Sequence, residues 1–201
     1  MPRKKSITSP IYPFHIYNRS IDGDFYPLNQ EEVWNASVDL LRVVTYAYKV
    51  DIHAFVLMSN HYHLLATFPY ENIGEAIGYF QRELSRWLLT NTQLQRYRFS
   101  GRYKSSLILD SLHYMYVYKY VYNNPIRAGL CNFAELYPYS TLAFRCGEIV
   151  ESPPVNPSSF LSKLALGGDI EEELALLNDH FNEEEISLVR KAIRKREFSL
   201  D

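Results

Sequence analysis

The sequence predicts an α+β domain in which helices cover one face of an antiparallel sheet, followed by a small helical extension. Its segments run in the order strand, helix, two strands, helix, strand, helix, a pattern that favours one layered core. The two adjacent strands meet at Ser59-Asn60, a two-residue hairpin connection. Proline and polar residues interrupt the pattern at 151–157, ESPPVNP, which sets the expected boundary between residues 1–150 and a helical extension over 151–201.

Each element has a local reason. Residues 10–19, PIYPFHIYNR, read as a strand that runs into a polar turn at Asp22-Gly23-Asp24. Asn29, followed by Glu31 and Glu32, caps a helix reaching to about Tyr48, with Val33, Ala36, Leu40, Val43, Val44 and Ala47 as its apolar stripe. The hairpin strands span 52–58 and 61–68. A second helix over 72–89 buries Ile73, Ile77, Phe80, Leu84 and Leu88. A basic loop leads to a strand at 105–109. The helix over 111–122 is expected to stop at Asn124-Pro125, because a residue before proline disfavours helical geometry. Past the boundary, 158–165, 169–177 and 183–196 read as short helices.

Composition narrows the class. With 201 residues and 47% hydrophobic side chains, the chain can bury a core of its own. Cys131 and Cys146 lack metal-motif spacing and suit a reducing compartment without structural disulfides. The first ten residues, MPRKKSITSP, lack the apolar stretch of a secretory signal, and no apolar run nears the roughly 20 residues that span a bilayer. These features predict a cytoplasmic protein with no membrane partner. The net charge of −2 hides three unlike regions. Residues 1–168 hold 16 basic against 13 acidic side chains; residues 169–185 hold eight acids and no Lys or Arg; residues 186–201 hold five bases and two acids. The acidic block alone masks a basic body and a basic end, and a local patch decides which partners a surface attracts.

Two clusters carry chemistry. His61 and His63 flank Tyr62 on a predicted strand, so both imidazoles project from one face and Tyr62 from the other. Two imidazoles on one face can hold a divalent ion and leave positions open for a substrate. Two polar residues on a solvent-facing strand would look the same, and His15 reads as structural. The second cluster is 114–125, YMYVYKYVYNNP, with five tyrosines. At about 100° per residue, Tyr116, Tyr120 and Asn124 share one helix face. Tyr118 and Tyr122 share another with Met115, and Tyr114 sides with Val117 and Val121. A phenol of pKa about 10 is a weak nucleophile at neutral pH, but a nearby cation can stabilise charge on a target phosphate. Attack would leave a covalent phosphotyrosine. Asn124 can add an amide oxygen, and two imidazoles with oxygen ligands suit Mg²⁺ or Mn²⁺. Spacing alone leaves Tyr116 and Tyr120 equivalent.

Basic residues interleave with aromatics at 96–104, RYRFSGRYK. Arg96, Arg98, Arg102 and Lys104 can meet phosphates while Tyr103 and its neighbours stack on unpaired bases. Arg3-Lys4-Lys5, Arg19, Arg127 and the pair Arg82 and Arg86, on one face of the second helix, are further DNA-facing candidates. Arg190, Lys191, Arg194, Lys195 and Arg196 form a basic end to the last helix, which also reads as a solvated face.

Taken in order, MSNHYHLL, GRYKSSLI and YVYNNPIRAGL resemble the single-tyrosine transposases of insertion sequences, and more closely the REP-associated tyrosine transposases of the HUH endonuclease superfamily. The resemblance spans about residues 10–145. It implies a ferredoxin-like antiparallel sheet, with the histidine strand near its centre and the nucleophile on a facing helix. It also selects Tyr120, four residues before the motif's amide, Asn124. Relatives cleave single-stranded DNA beside imperfect hairpins, using a divalent cation and forming a 5′-phosphotyrosine link with a free 3′ hydroxyl. Two positions depart from the pattern: Tyr62 stands where an aliphatic residue is usual, and Asn124 where more mobile relatives carry glutamine. A monomer or a homodimer would suit this activity. A hairpin-binding protein without catalysis, and a phosphodiesterase using water, are the alternative readings.

Overall fold

The structure, a computed structural model, describes residues 7–156 and 169–200. Arg3-Lys4-Lys5 and the helix expected over 158–165 lie outside the described residues. The sheet holds β1 (Phe14–Arg19), β2 (Asp51–Leu57), β3 (His61–Thr67) and β4 (Lys104–Leu107). All pairs are antiparallel, in the order β2-β3-β1-β4. Helices α1 (Gln30–Tyr48) and α2 (Ile73–Thr90) complete a βαββαβ unit with the ferredoxin-like strand order, and α3 (Ser111–Arg127) follows it.

The expected caps act locally. The Asn29 side chain accepts a hydrogen bond from the Glu32 amide, and Lys49 turns left-handed at φ 55° to end α1. The stripe on α1 is rotated from its expected position. Trp34 and Leu41 are buried, while Val43 and Ala47 are exposed. In α2 all five expected residues are buried.

The expectation of helices on a single face needs one correction. Helices α1 and α2 do share a face, packing on Phe14, Ile16, Phe55, Tyr62 and Leu64. Helix α3 covers the opposite face, over Ala54, Val56 and Leu65. The cause lies in the strands. Residues 54–58 and 64–66, AFVLM and LLA, are continuously apolar, and such runs are buried on both faces rather than one.

Helix α3 also runs through Asn124-Pro125 to Arg127 instead of stopping there. Proline removes the donor that would have met the Val121 carbonyl. Asn124 Nδ2 stands in, 3.4 Å from that oxygen and 2.8 Å from the Tyr120 carbonyl. The stop comes at Gly129, φ 70°, where Leu130 N returns to Pro125 O at 3.0 Å. The tyrosine faces regroup as well. Tyr114, Tyr118 and Tyr122 form one buried column, and Tyr116 stacks on Phe181.

After the short α4 (Thr141–Arg145), helices α5 (Ile170–Asn178) and α6 (Glu183–Ala192) lie against α3. Leu177, Phe181, Ile186, Val189, Ile193 and Phe198 join the core beneath α3. The backbone then pairs with β4, since Leu107 N meets Arg196 O at 2.9 Å and Phe198 N meets Leu107 O at 2.8 Å. Among the described residues no helix is long and apolar enough to cross a membrane.

Candidate active site

The face of the sheet beneath α3 builds the site. Register pairs Tyr17 with His63 and Arg19 with His61 across β1 and β3. Residues 15, 17 and 19 therefore share a face with 61 and 63. The His61 and His63 rings stand 5.1 Å apart, edge to face. Tyr62 points the other way, and Gln81 Nε2 donates to its hydroxyl at 2.7 Å, so the polar tip of this unusual middle residue is satisfied.

Each imidazole is oriented from behind. His61 Nδ1 lies 2.6 Å from Asn60 Oδ1. The amide oxygen can only accept, so His61 carries its proton on Nδ1 and leaves Nε2 as a lone pair. His63 Nδ1 lies 2.9 Å from His15 Nε2, and a proton on that Nδ1 would free His63 Nε2 in the same way. Outer contacts of this kind set which nitrogen faces a metal. The pKa of His61 is lowered to about 4, chiefly by burial and also by Arg19. Burial holds His63 well below its usual value, with His61 and His15 adding to the effect. Both are neutral at neutral pH, the form that ligates metals.

Helix α3 supplies the other wall. The Tyr120 ring stands 5.6 Å from the His63 ring and perpendicular to it. Tyr120 is 6% exposed, and burial raises its pKa while Arg190 and Arg127 act in the opposite direction. Tyr120, Asn124 and Arg127 line one cleft of about 480 Å³ with Tyr17, Arg19, His61 and His63. Of the two tyrosines left equivalent by spacing, only Tyr120 reaches this cleft. Among the described residues no group of three or more His, Cys, Asp or Glu side chains is placed to hold a metal. An ion here would draw on two imidazoles and the Asn124 amide oxygen, with substrate and water filling the rest.

The DNA-facing candidates divide. Arg19 and Arg127 enter the cleft. The backbone of Arg98 lies beside the end of β1, where Ile21 N bonds Arg98 O and Ser100 N bonds Arg19 O. Arg96, Arg98, Arg102 and Lys104 are exposed. Tyr103 and Phe99 instead face the α1–α2 core at 9% and 5% exposure, so neither offers a ring for base stacking; burying two large aromatics outweighs leaving them in a loop. Arg82 and Arg86 stand on α2, across the sheet from the cleft, and both pair with Glu83. Residue-by-residue reading missed Tyr17, Asn60 and the contact of His15 with His63. The alternation His15, Tyr17, Arg19 along β1 was the available signal.

Residues 26–124 match the family model described as IS200-like transposase. The matched stretch holds His61, His63, Tyr120 and Asn124, in keeping with the motif resemblance, and ends before Arg127. No curated protein sequence matches the chain. Among solved structures the chain is similar to a REP-associated tyrosine transposase bound to a REP hairpin, with TM-score 0.62 and 14% identity over 79% of this chain and 94% of that one. At that identity the likeness concerns the fold. A chain from Deinococcus radiodurans described as a candidate transposase shares 14% identity at TM-score 0.41, over 61% of this chain and 95% of that one, a likeness too slight to carry weight.

The buried imidazoles also predict acid sensitivity. His15 has its pKa lowered to about 3 by burial, whereas an imidazole in the unfolded chain titrates near 6.5. Below that pH the unfolded chain binds protons that the folded chain refuses. Stability is therefore complete above about pH 6.5 and falls as pH drops. His15 alone should remove about 2 kcal/mol by pH 5, with His61 and His63 adding to the loss. Urea melts at pH 7 and pH 5 measure it, and equal stabilities would refute the account.

Proposed function

We propose that the cleft binds single-stranded DNA beside a hairpin and that Tyr120 attacks a backbone phosphorus. The Tyr120 oxygen forms the new bond to phosphorus, the bond from phosphorus to the 3′ oxygen breaks, and the phenol's proton ends on the released 3′ hydroxyl. The phosphotyrosine conserves the bond for rejoining, which makes the activity strand transfer rather than hydrolysis. His61 Nε2, His63 Nε2 and the Asn124 amide oxygen would hold a Mg²⁺ or Mn²⁺ ion, which when bound polarises the phosphate and offsets its developing charge. Arg19 and Arg127 position the strand, and the exposed bases of 96–104 guide it at the rim.

The observation that carries this reading is Tyr120, on a helix that faces the sheet, set edge-on over His63 in the cleft. Nucleophile and imidazoles come from one chain, which supports a site complete in a monomer. A cytoplasmic setting suits a single-stranded DNA substrate.

The test is covalent capture. A labelled hairpin oligonucleotide with flanking single strands, incubated with the protein and Mn²⁺, should give an adduct that survives denaturation. Chelation, His61→Ala or His63→Ala should lower its rate by about 10²-fold or more, the loss expected when several kcal/mol of charge stabilisation is removed. Salt-sensitive binding with no adduct on any hairpin would favour a binding protein without catalysis.

A further inference from the structure

The cleft is walled partly by a helix outside the family match. Arg190, Ile193 and Arg194, at the end of α6 and just beyond it, line the cleft together with Tyr120 and His63. With Arg19 and Arg127 this brings four guanidiniums to one cavity, and among the described residues no carboxylate lines it. Arg190 shares this wall with Tyr120 and lies near enough to its hydroxyl to lower its pKa. Among the described residues Arg127 Nε is buried and has no hydrogen-bond partner; the largely exposed Glu183 carboxylate is 3.8 Å from Nη1.

Basic residues at the end of α6 have a simpler explanation in the helix dipole, which favours cations at a C-terminus and acids such as Glu183, Glu184 and Glu185 in the first turn. The dipole accounts for the charges but not for where they point. Four like charges around one cavity, with a single exposed carboxylate 3.8 Å from one of them, repel one another, and an unpartnered buried donor costs free energy. An anion in the cleft answers both problems.

We infer that Arg190, assisted by Arg194 and Arg127, is a catalytic residue that holds the phosphate attacked by Tyr120. This rests on the proposed role of the cleft. A guanidinium beside the attacking oxygen lies next to the phosphorus once that oxygen closes on it. Its planar fork can donate two N–H bonds to the non-bridging oxygens, where charge builds during attack. The phosphodiester carries one negative charge both before cleavage and as phosphotyrosine, so Arg190 serves both states and steadies the intermediate until rejoining. The C-terminal helix then completes the active site instead of decorating it. The core contacts of Ile186, Val189 and Ile193 are what fix the position of the two arginines.

Two measurements test this on the full chain. The first compares binding of a 5′-phosphorylated single-stranded tetranucleotide with its unphosphorylated form, by fluorescence anisotropy. Wild type should prefer the phosphorylated form; Arg190→Ala should lose most of that preference and Arg190→Lys should keep part of it. The second is the rate of adduct formation on a hairpin oligonucleotide. Arg190→Ala should slow it by about 10²-fold, the usual effect of deleting one transition-state donor, with hairpin affinity falling far less. A rate and phosphate preference unchanged in Arg190→Ala would overturn the inference, as would a wild type with no preference for phosphate. If wild type forms no adduct yet Arg190 still governs phosphate preference, the Tyr120 chemistry fails and the phosphate site stands. Arg190 is exposed, so its variants should fold, and a thermal melt checks that they do.

Discussion

Tyr120→Phe is expected to remove covalent capture of the cleaved strand altogether while leaving hairpin affinity within about twofold. The substitution deletes one oxygen and leaves the ring that packs edge-on to His63 and His15. Losing a mostly buried hydroxyl at the edge of the cleft, near the exposed Arg190, should change stability by about 1 kcal/mol or less. Binding and folding then remain as controls inside the same experiment. Tyr116→Phe should leave the adduct untouched, because Tyr116 stacks on Phe181 and lies outside the cleft. Denaturing gels of protein incubated with labelled hairpin and Mn²⁺ read both results. An adduct that survives Tyr120→Phe would move the nucleophile to another side chain, and slow turnover without any adduct would point to water as the attacking group.

What could be read in advance, and what could not, divides along physical lines. The succession of strands and helices follows from local signals that add up: the Asn29 cap, the Ser59-Asn60 hairpin, and the 3.6-residue spacing of α2. Backbone preference alone ends α3 too early, at Asn124-Pro125. The side chain of Asn124 repairs part of what Pro125 removes, and propensity does not register such a repair. The second helical face was legible in the unbroken apolar runs of β2 and β3, which no one-sided sheet would carry. In the site, the period of two aligned His61 with His63, and the spacing of four aligned Tyr120 with Asn124. The choice of Tyr120 over Tyr116 needed either a relative or the fold, since a helix presents both alike. Arg190 was visible only as one of five bases in a charged end. Its place beside Tyr120 depends on how α6 docks on α3, a contact between segments some 70 residues apart in sequence that is set by packing rather than by any local pattern.

That docking has a single most vulnerable point. Glu173 of α5 is 2% exposed, and its carboxylate is held by Arg145 Nη1 at 2.5 Å, by Arg145 Nη2 at 2.7 Å and by the Tyr118 hydroxyl at 2.6 Å. One residue each from α3, α4 and α5 thus meets in a buried, bidentate cluster. Removing one partner of such a pair strands the other charge in a medium that solvates it poorly. Arg145→Ala should therefore cost about 3–5 kcal/mol, far more than an exposed pair such as Arg42 with Asp39 could lose. Replacing both members at once, Arg145→Met with Glu173→Leu, removes both charges and leaves only the Tyr118 hydroxyl without its acceptor. That double variant should recover all but about 1–2 kcal/mol of the loss. Urea denaturation measures both effects. The functional consequence separates packing from charge. If α5 and α6 loosen from α3 in Arg145→Ala, Arg190 leaves the cleft and adduct formation should fall under conditions where the β-sheet is still folded, and the double variant should restore it. A large loss of stability with an unchanged adduct rate at low temperature would mean that α6 stays seated without the cluster, and that the core contacts of Val189 and Ile193 suffice to hold it.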